Sequence, residues 1–122
     1  MDSDSTIKST TLPDVLEIQR PTFSDERGFF REPVRIRELE AKLGYPFQVV
    51  QMNHARSSKG ALRGIHIAPW NKLIYVARGK AQIVICDLRV ESETFGKYFS
   101  TVIGDENKSS IFVPKGCGNS YF

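Results

Sequence analysis

The chain holds two histidines, His54 and His66, and the second lies in the run KGALRGIHIAPWNKLIYV, which also carries Arg63 and Lys72. Side chains alternate along a strand, so Leu62, Gly64 and His66 would face one side and Arg63, Ile65 and Ile67 the other. A bulge at Gly64 would reset that register and let Arg63 and His66 converge on one pocket. Lys72 begins the next strand and can reach the same mouth. A neutral imidazole beside two cations suits removal of a proton next to a carbonyl: the imidazole accepts the proton, and the cations stabilise the enolate oxygen as charge develops on it. Spacing alone favours a plainer reading, in which His66 is a hydrogen-bonded barrel histidine and Lys72 a solvated strand start.

Other chemistries have less to stand on. A metal site needs several converging His or carboxylate ligands, but there is no His-x-His pair, and Glu91 and Glu93 fall in an expected loop beyond Asp87. Cys86, in an apolar run, and Cys117, beside glycines, have no neighbouring histidine to activate them as nucleophiles. Gln51 and Asn53 alternate with Val50 and Met52, which places two amides on one face of an expected strand. Facing inward they would be pocket residues, and facing outward merely solvated. Asp25, Glu26, Arg27 and Glu32 read most simply as a charged surface loop. The functional alternative pairs Arg27 with a phosphate and packs Phe29 or Phe30 on a base or sugar.

The elements that must carry these residues are mostly short strands. Met1 to Thr11 is Ser/Thr-rich and aperiodic, and reads as a flexible leader. Asp14 to Gln19 reads as a strand and Pro21 to Phe30 as a loop. Pro33 to Leu43 has the one helical pattern, with Val34, Ile36, Leu39 and Leu43 near one face and Gly44 as the stop. FQVVQMN, ALRGIHI, KLIYVA, AQIVICDL, YFSTVI and SSIFVP each fit a strand. Ala77-Arg78-Gly79-Lys80 and Gly104-Asp105-Glu106-Asn107 read as hairpin turns between them. The pattern is that of a mainly β barrel or sandwich with one short helix. The NSYF ending has the look of a strand cut short.

At 122 residues the chain is one domain's worth, and its 40% hydrophobic and 25% charged content is near the globular average. A net charge of +3 is dispersed, with 17 Lys and Arg among 14 Asp and Glu. That suits an anionic small molecule as well as a polynucleotide and ranks neither high, but aromatic and basic residues are not interleaved as a nucleic-acid stacking platform requires. Two cysteines without scaffold or zinc spacing are expected as reduced, cytoplasmic thiols. The N-terminus has no basic region followed by an apolar stretch, and no run approaches about 18 apolar residues, so neither export nor a membrane span is expected.

Four segments together resemble one family. FSDERGFFRE (Phe23 to Glu32), FQVVQMNHARSSKGALRGIHI (Phe47 to Ile67), NKLIYVARGKAQIVICDLRVESETFGKY (Asn71 to Tyr98) and IFVPKG (Ile111 to Gly116) resemble, in order and spacing, the dTDP-4-dehydrorhamnose 3,5-epimerases. The resemblance covers nearly everything after the leader. It implies a cupin-like double-stranded β-helix, or jelly roll, over residues 12–122, needing no metal or other cofactor and forming a homodimer. The implied reaction is epimerisation at C3 and/or C5 of a nucleotide-linked 4-keto-6-deoxy sugar, in deoxysugar or surface-polysaccharide synthesis. Carried over by position, His66 is the general base and Lys72 the cation that stabilises the enolate. Arg63, Gln51 and Asn53 surround the sugar and diphosphate. Arg27 and Glu32 help bind the nucleotide, in the neighbouring subunit's pocket.

Two departures go with this resemblance. Asn119, expected among the substrate-binding residues, stands in PKGCGNSYF where the family usually has histidine, and an amide can bond a ligand but cannot carry charge or shuttle a proton. Family members also continue past Phe122, and by the resemblance the proton-returning tyrosine and the acidic partner of the base histidine would lie in that further stretch. The domain is therefore expected to lack the family's C-terminal part. Alternatives to the epimerase are a non-catalytic or fragmentary nucleotide-sugar binder, and a sugar 3,4-ketoisomerase on a similar barrel.

Overall fold

Strict alternation builds the clearest strand. In the computed structural model, which describes residues 5–122, the inward residues Ile83, Ile85 and Asp87 of one strand are buried while their neighbours are less so. In chain order the elements are β1 (Thr6–Ser9), β2 (Leu16–Gln19), β3 (Thr22–Asp25), β4 (Gly28–Arg31), α1 (Ile36–Leu43), β5 (Arg63–Ile67), β6 (Lys72–Tyr75), β7 (Lys80–Asp87), β8 (Tyr98–Gly104), β9 (Ser110–Val113) and β10 (Cys117–Tyr121). They form a sheet ordered β1-β2-β9-β6, a second ordered β5-β10-β7-β8, and the hairpin β3-β4, with the paired strands antiparallel throughout. The fold is mainly β, as the sequence pattern requires, and of the cupin-like jelly-roll type. No helix among the described residues is long and apolar enough to cross a membrane.

Two apolar clusters hold the sheets. Between them lie Leu12, Val15, Ile83, Ile85, Ile103, Ile111, Val113 and Cys117. On the other side of the first sheet, Leu39 of α1 packs with Leu16, Ile18 and Phe112. Strand β9 serves both: Ile111 and Val113 enter the first cluster and Phe112 the second, so the whole of Ser110–Val113 is buried. An uninterrupted apolar run is what a strand covered on both faces needs. Helix α1 starts at Ile36 rather than Pro33, because Arg35 is still extended, and stops as expected at Gly44, whose left-handed backbone (φ 82) lets its N–H donate to Glu40 O at 2.8 Å.

Several expectations are corrected. Within the stretch read as a flexible leader, Thr6–Ser9 pairs with β2 along the first sheet's edge; residues 1–4 of that leader lie outside the described residues. The loop read over Pro21 to Phe30 is the hairpin β3-β4, with Phe23 opposite Phe30 and Asp25 opposite Gly28. Asp25 Oδ1 accepts from Arg27 N at 2.8 Å, so the charged residues make a tight turn between strand-forming aromatics. FQVVQMN is not a strand: no strand pairs with it, Phe47 N donates to Glu40 Oε2 at 2.8 Å, and only Phe47 packs inward, edge-on to Phe112 with ring centroids 5.6 Å apart.

The two turns read as hairpins are crossings. β6 and β9 lie in the first sheet and β7 and β8 in the second, so Ala77–Lys80 and Gly104–Asn107 each carry the chain from one sheet to the other. They run against each other, with Asp105 N donating to Gly79 O at 2.8 Å and Gly79 N to Asp105 Oδ2 at 3.0 Å. A Cβ at Gly104 would sit 2.1 Å from Gly79 O. Turn chemistry of this sort fixes a local reversal but not which sheet receives the next strand.

Candidate functional site

Gly64 organises the inner face of the second sheet. Its backbone has φ 109, and a Cβ there would lie 2.6 Å from Asn119 O and 2.8 Å from the Ser120 Cα, so only glycine lets β5 come this close to β10. The ladder pairs Ile67 with Gly118 and His66 with Asn119, then resumes at Arg63 with Tyr121. Gly64 and Ile65 together therefore face Ser120 alone, which is the bulge that the glycine suggested. Directly opposite residues share a face. His66 and Arg63 accordingly lie on the face of Asn119 and Tyr121, which is also that of Ile85, the partner of Asn119 on β7 in the inter-sheet cluster.

Lys72 reaches this face from the other sheet. It lies opposite Val113, itself part of the inter-sheet cluster, and its Nζ donates to Asn119 Oδ1 at 2.7 Å. Asn119 is buried, at 6% exposure, and Lys72 is half-buried. Burial depresses the Lys72 pKa below the usual lysine value. His66, opposite Asn119 on β5, is exposed. The structure thus brings an accessible imidazole and a partly desolvated ammonium to either side of one neutral amide, His66 by strand register and Lys72 by hydrogen bond. Arg63 joins that face by register, while its guanidinium is turned to Ser57 Oγ (2.9 Å) and Arg56 O (3.0 Å).

The remaining sequence candidates stand elsewhere. Gln51 Nε2 donates to Asn53 Oδ1 at 3.0 Å, both residues being exposed on the irregular stretch rather than facing inward from a strand. Arg27 is at the hairpin tip with its side chain 86% exposed, bonded to Asp25 at 2.6 Å. Glu32 follows β4 and accepts from Arg35 Nε at 2.7 Å, which lowers its pKa. The hairpin base is held firmly: Arg31 donates to Thr22 Oγ1, Tyr75 OH and Arg20 O, and buried Arg20 reaches Glu38 at 2.7 Å.

Sequence reasoning missed a second polar centre. Asp87, with no exposure, accepts from Arg89 N, Nε and Nη2 and from the hydroxyls of Ser92 and Thr94, while Arg89 Nη2 also bonds Pro13 O at 2.7 Å. The Arg89 guanidinium, helped by the two hydroxyls, holds the carboxyl well below the usual carboxylate range against the opposing effect of burial. The signal was there in DLRVESET, a carboxylate on an apolar strand's inner phase followed by a cation and hydroxyls. Every oxygen is committed to this clamp, so it ties the β7–β8 connection to the segment before β2 rather than offering a reactive group. Among the described residues no group of three His, Cys, Asp or Glu gathers as metal ligands.

A sequence model of the dTDP-4-dehydrorhamnose 3,5-epimerases matches residues 9–122. The chain belongs to this family. The dTDP-4-dehydrorhamnose 3,5-epimerase of Escherichia coli K12 is 37% identical over 116 residues, covering 92% of this chain and 63% of that protein. The crystal structure of the enzyme from Elizabethkingia anophelis NUHP1 is 34% identical with a TM-score of 0.87, covering 97% of this chain and 67% of the other. The Legionella pneumophila Philadelphia 1 epimerase, solved with dTDP-4-keto-L-rhamnose, is 34% identical with a TM-score of 0.90, covering 97% and 64%. The chain therefore spans less than two thirds of the length of the E. coli member of the family.

Proposed function

We propose that this family member acts on a nucleotide-linked 4-keto-6-deoxy sugar, inverting C3 and/or C5 by removing the proton next to the ketone. The observation that carries the reading is the Lys72–Asn119 contact on the inner face, with the exposed His66 opposite Asn119 on the same face. His66 takes the proton from the ring carbon and becomes imidazolium. The electron pair moves to the C4 oxygen, where the Lys72 ammonium meets the developing negative charge in a partly desolvated setting. Return of a proton to the opposite face of that carbon completes the inversion and leaves the ketone restored. Arg63 lies beside the sugar and diphosphate. Gln51, Asn53, Arg27 and Glu32 act in nucleotide-sugar binding, with the exposed charge of Arg27 directed to phosphate.

A homodimer completes this reading. β5 is an edge strand whose Ile65 and Ile67 are exposed, as are Trp70 just after it and Val49, Val50 and Met52 on the irregular stretch before it, the last two at 87% and 88%. Isolated apolar side chains are ordinary on a surface, but an apolar stretch beside an open strand edge calls for a cover. A second copy would give FQVVQMN the strand partner it lacks and bring one copy's hairpin to the other's mouth. Both cysteines are free, which fits the cytoplasm in which nucleotide sugars are made.

The test uses His66→Ala and Lys72→Met with dTDP-4-keto-6-deoxyglucose. Loss of epimerised product in both variants, with dTDP affinity within about threefold of the parent, is the expected result, since positioned base catalysis contributes about 10²–10⁴-fold. Undiminished turnover in His66→Ala would remove the imidazole from the reaction.

A further inference from the structure

We infer that Asn119 is a positioning residue for Lys72: its side-chain carbonyl, fixed on the central strand β10, holds the ammonium on the inner face between the sheets. The inference deepens the proposed function, since it rests on Lys72 being the cation beside the developing enolate oxygen. It also moves Asn119 from ligand contact to partner of a reacting group.

The geometry is specific. A lysine ammonium only donates, so the atom facing Nζ at 2.7 Å must be the amide oxygen. Asn119 lies opposite His66 on one side and Ile85 on the other, and the glycine at position 64 lets β5 press against its backbone carbonyl. Its strand cannot drift. Lysine has a flexible four-carbon stem, so Lys72 needs a fixed acceptor to stay on one bearing, and the bond bridges the two sheets. An amide orients without neutralising: the ammonium keeps its full charge for the oxygen that becomes negative, which a carboxylate at position 119 would cancel in part. Burial depresses the Lys72 pKa, as expected for a cation whose partner carries no charge. Val113 lies opposite Lys72 on β9, and by register the inner face also carries His66 and Arg63 on β5, Cys117 and Tyr121 on β10, and Asp87 on β7, whose charge is matched by Arg89.

The experiment follows Lys72 itself, by the ¹³Cε shift of ¹³C-lysine-labelled full chain across its titration, with Lys72→Arg for assignment. Asn119→Asp, nearly isosteric, should raise the Lys72 midpoint by about 1 pH unit or more, and Asn119→Leu should lower it. With dTDP-4-keto-6-deoxyglucose, Asn119→Leu should cut ring deuteration in D₂O about 10-fold or more, while the Kd for dTDP stays within about twofold. Should Asn119→Leu fail to fold, Lys72→Met reports on the same contact through the Asn119 side-chain amide resonances, which should shift. An unmoved Lys72 midpoint in Asn119→Asp overturns the inference, as does an unmoved amide in Lys72→Met. A Kd for dTDP raised about tenfold with no change at Lys72 would make Asn119 a ligand contact instead. If the midpoints move while the parent chain deuterates nothing, Asn119 still positions Lys72 and it is the proposed reaction that fails.

Discussion

At the scale of single residues, Asn119, Lys72 and His66 draw their meaning from neighbours distant in sequence. Nothing in PKGCGNSYF shows that its asparagine meets a lysine on the other sheet, because the contact depends on how the jelly roll returns. The resemblance picked out all three positions, but the Lys72–Asn119 bond itself was not legible in the chain. Arg27 invites a separate prediction. Its ion pair with Asp25 is exposed, so it contributes little to stability and leaves the guanidinium available. Arg27→Ala should therefore leave unfolding unchanged and weaken dTDP binding about 5–10-fold at low salt, the difference shrinking as salt rises. Isothermal titration at two ionic strengths measures this, and equal affinities at low salt would detach Arg27 from the phosphate.

Elements show where sequence patterns succeed and where they mislead. The bulge at Gly64 was readable, because a glycine inside an apolar strand advertises a close backbone approach, and β5 meets β10 at that point. Strands β7 to β9 and helix α1 were readable from periodicity, since each buries residues on one face or both, and β6 half-buries Leu73 and Ile74 against the two clusters. FQVVQMN has the same alternation and forms no strand, as alternation reports a surface that wants covering and not what covers it. The β3-β4 hairpin was hidden by its charges, which lie in the turn. Gly64→Ala is predicted to destabilise by about 2–4 kcal/mol, through a clash with the Asn119 carbonyl added to an unfavourable backbone, and to lower turnover even in the fraction that stays folded. Urea unfolding together with deuteration per folded molecule separates the two effects. Leu39→Ala, which empties the contact between α1 and Phe112, should cost about 2–4 kcal/mol while leaving turnover per folded molecule intact.

For the molecule as a whole, the Asp87 clamp sets its acid limit. The folded-state pKa of Asp87 is depressed, so its contribution is fully present above the unfolded value of about 3.9 and is lost as pH falls through that value toward the folded one. Stability should thus fall below about pH 4, and Asp87→Asn should both remove about 2–4 kcal/mol at neutral pH and flatten that acid decline. Chemical denaturation at several pH values tests both, and an acid decline of the same steepness in the variant would assign it to other groups. The exposed apolar residues of β5 and of the irregular stretch before it belong to the same scale: sedimentation should show a dimer, and Val50→Glu together with Met52→Glu should shift it toward monomer. The most direct measurement is made on the unaltered chain, incubated with dTDP-4-keto-6-deoxyglucose in D₂O while NMR follows the protons at C3 and C5. The account predicts deuterium entering one or both positions and nowhere else on the ring. Bound nucleotide sugar with no exchange at either carbon would contradict it.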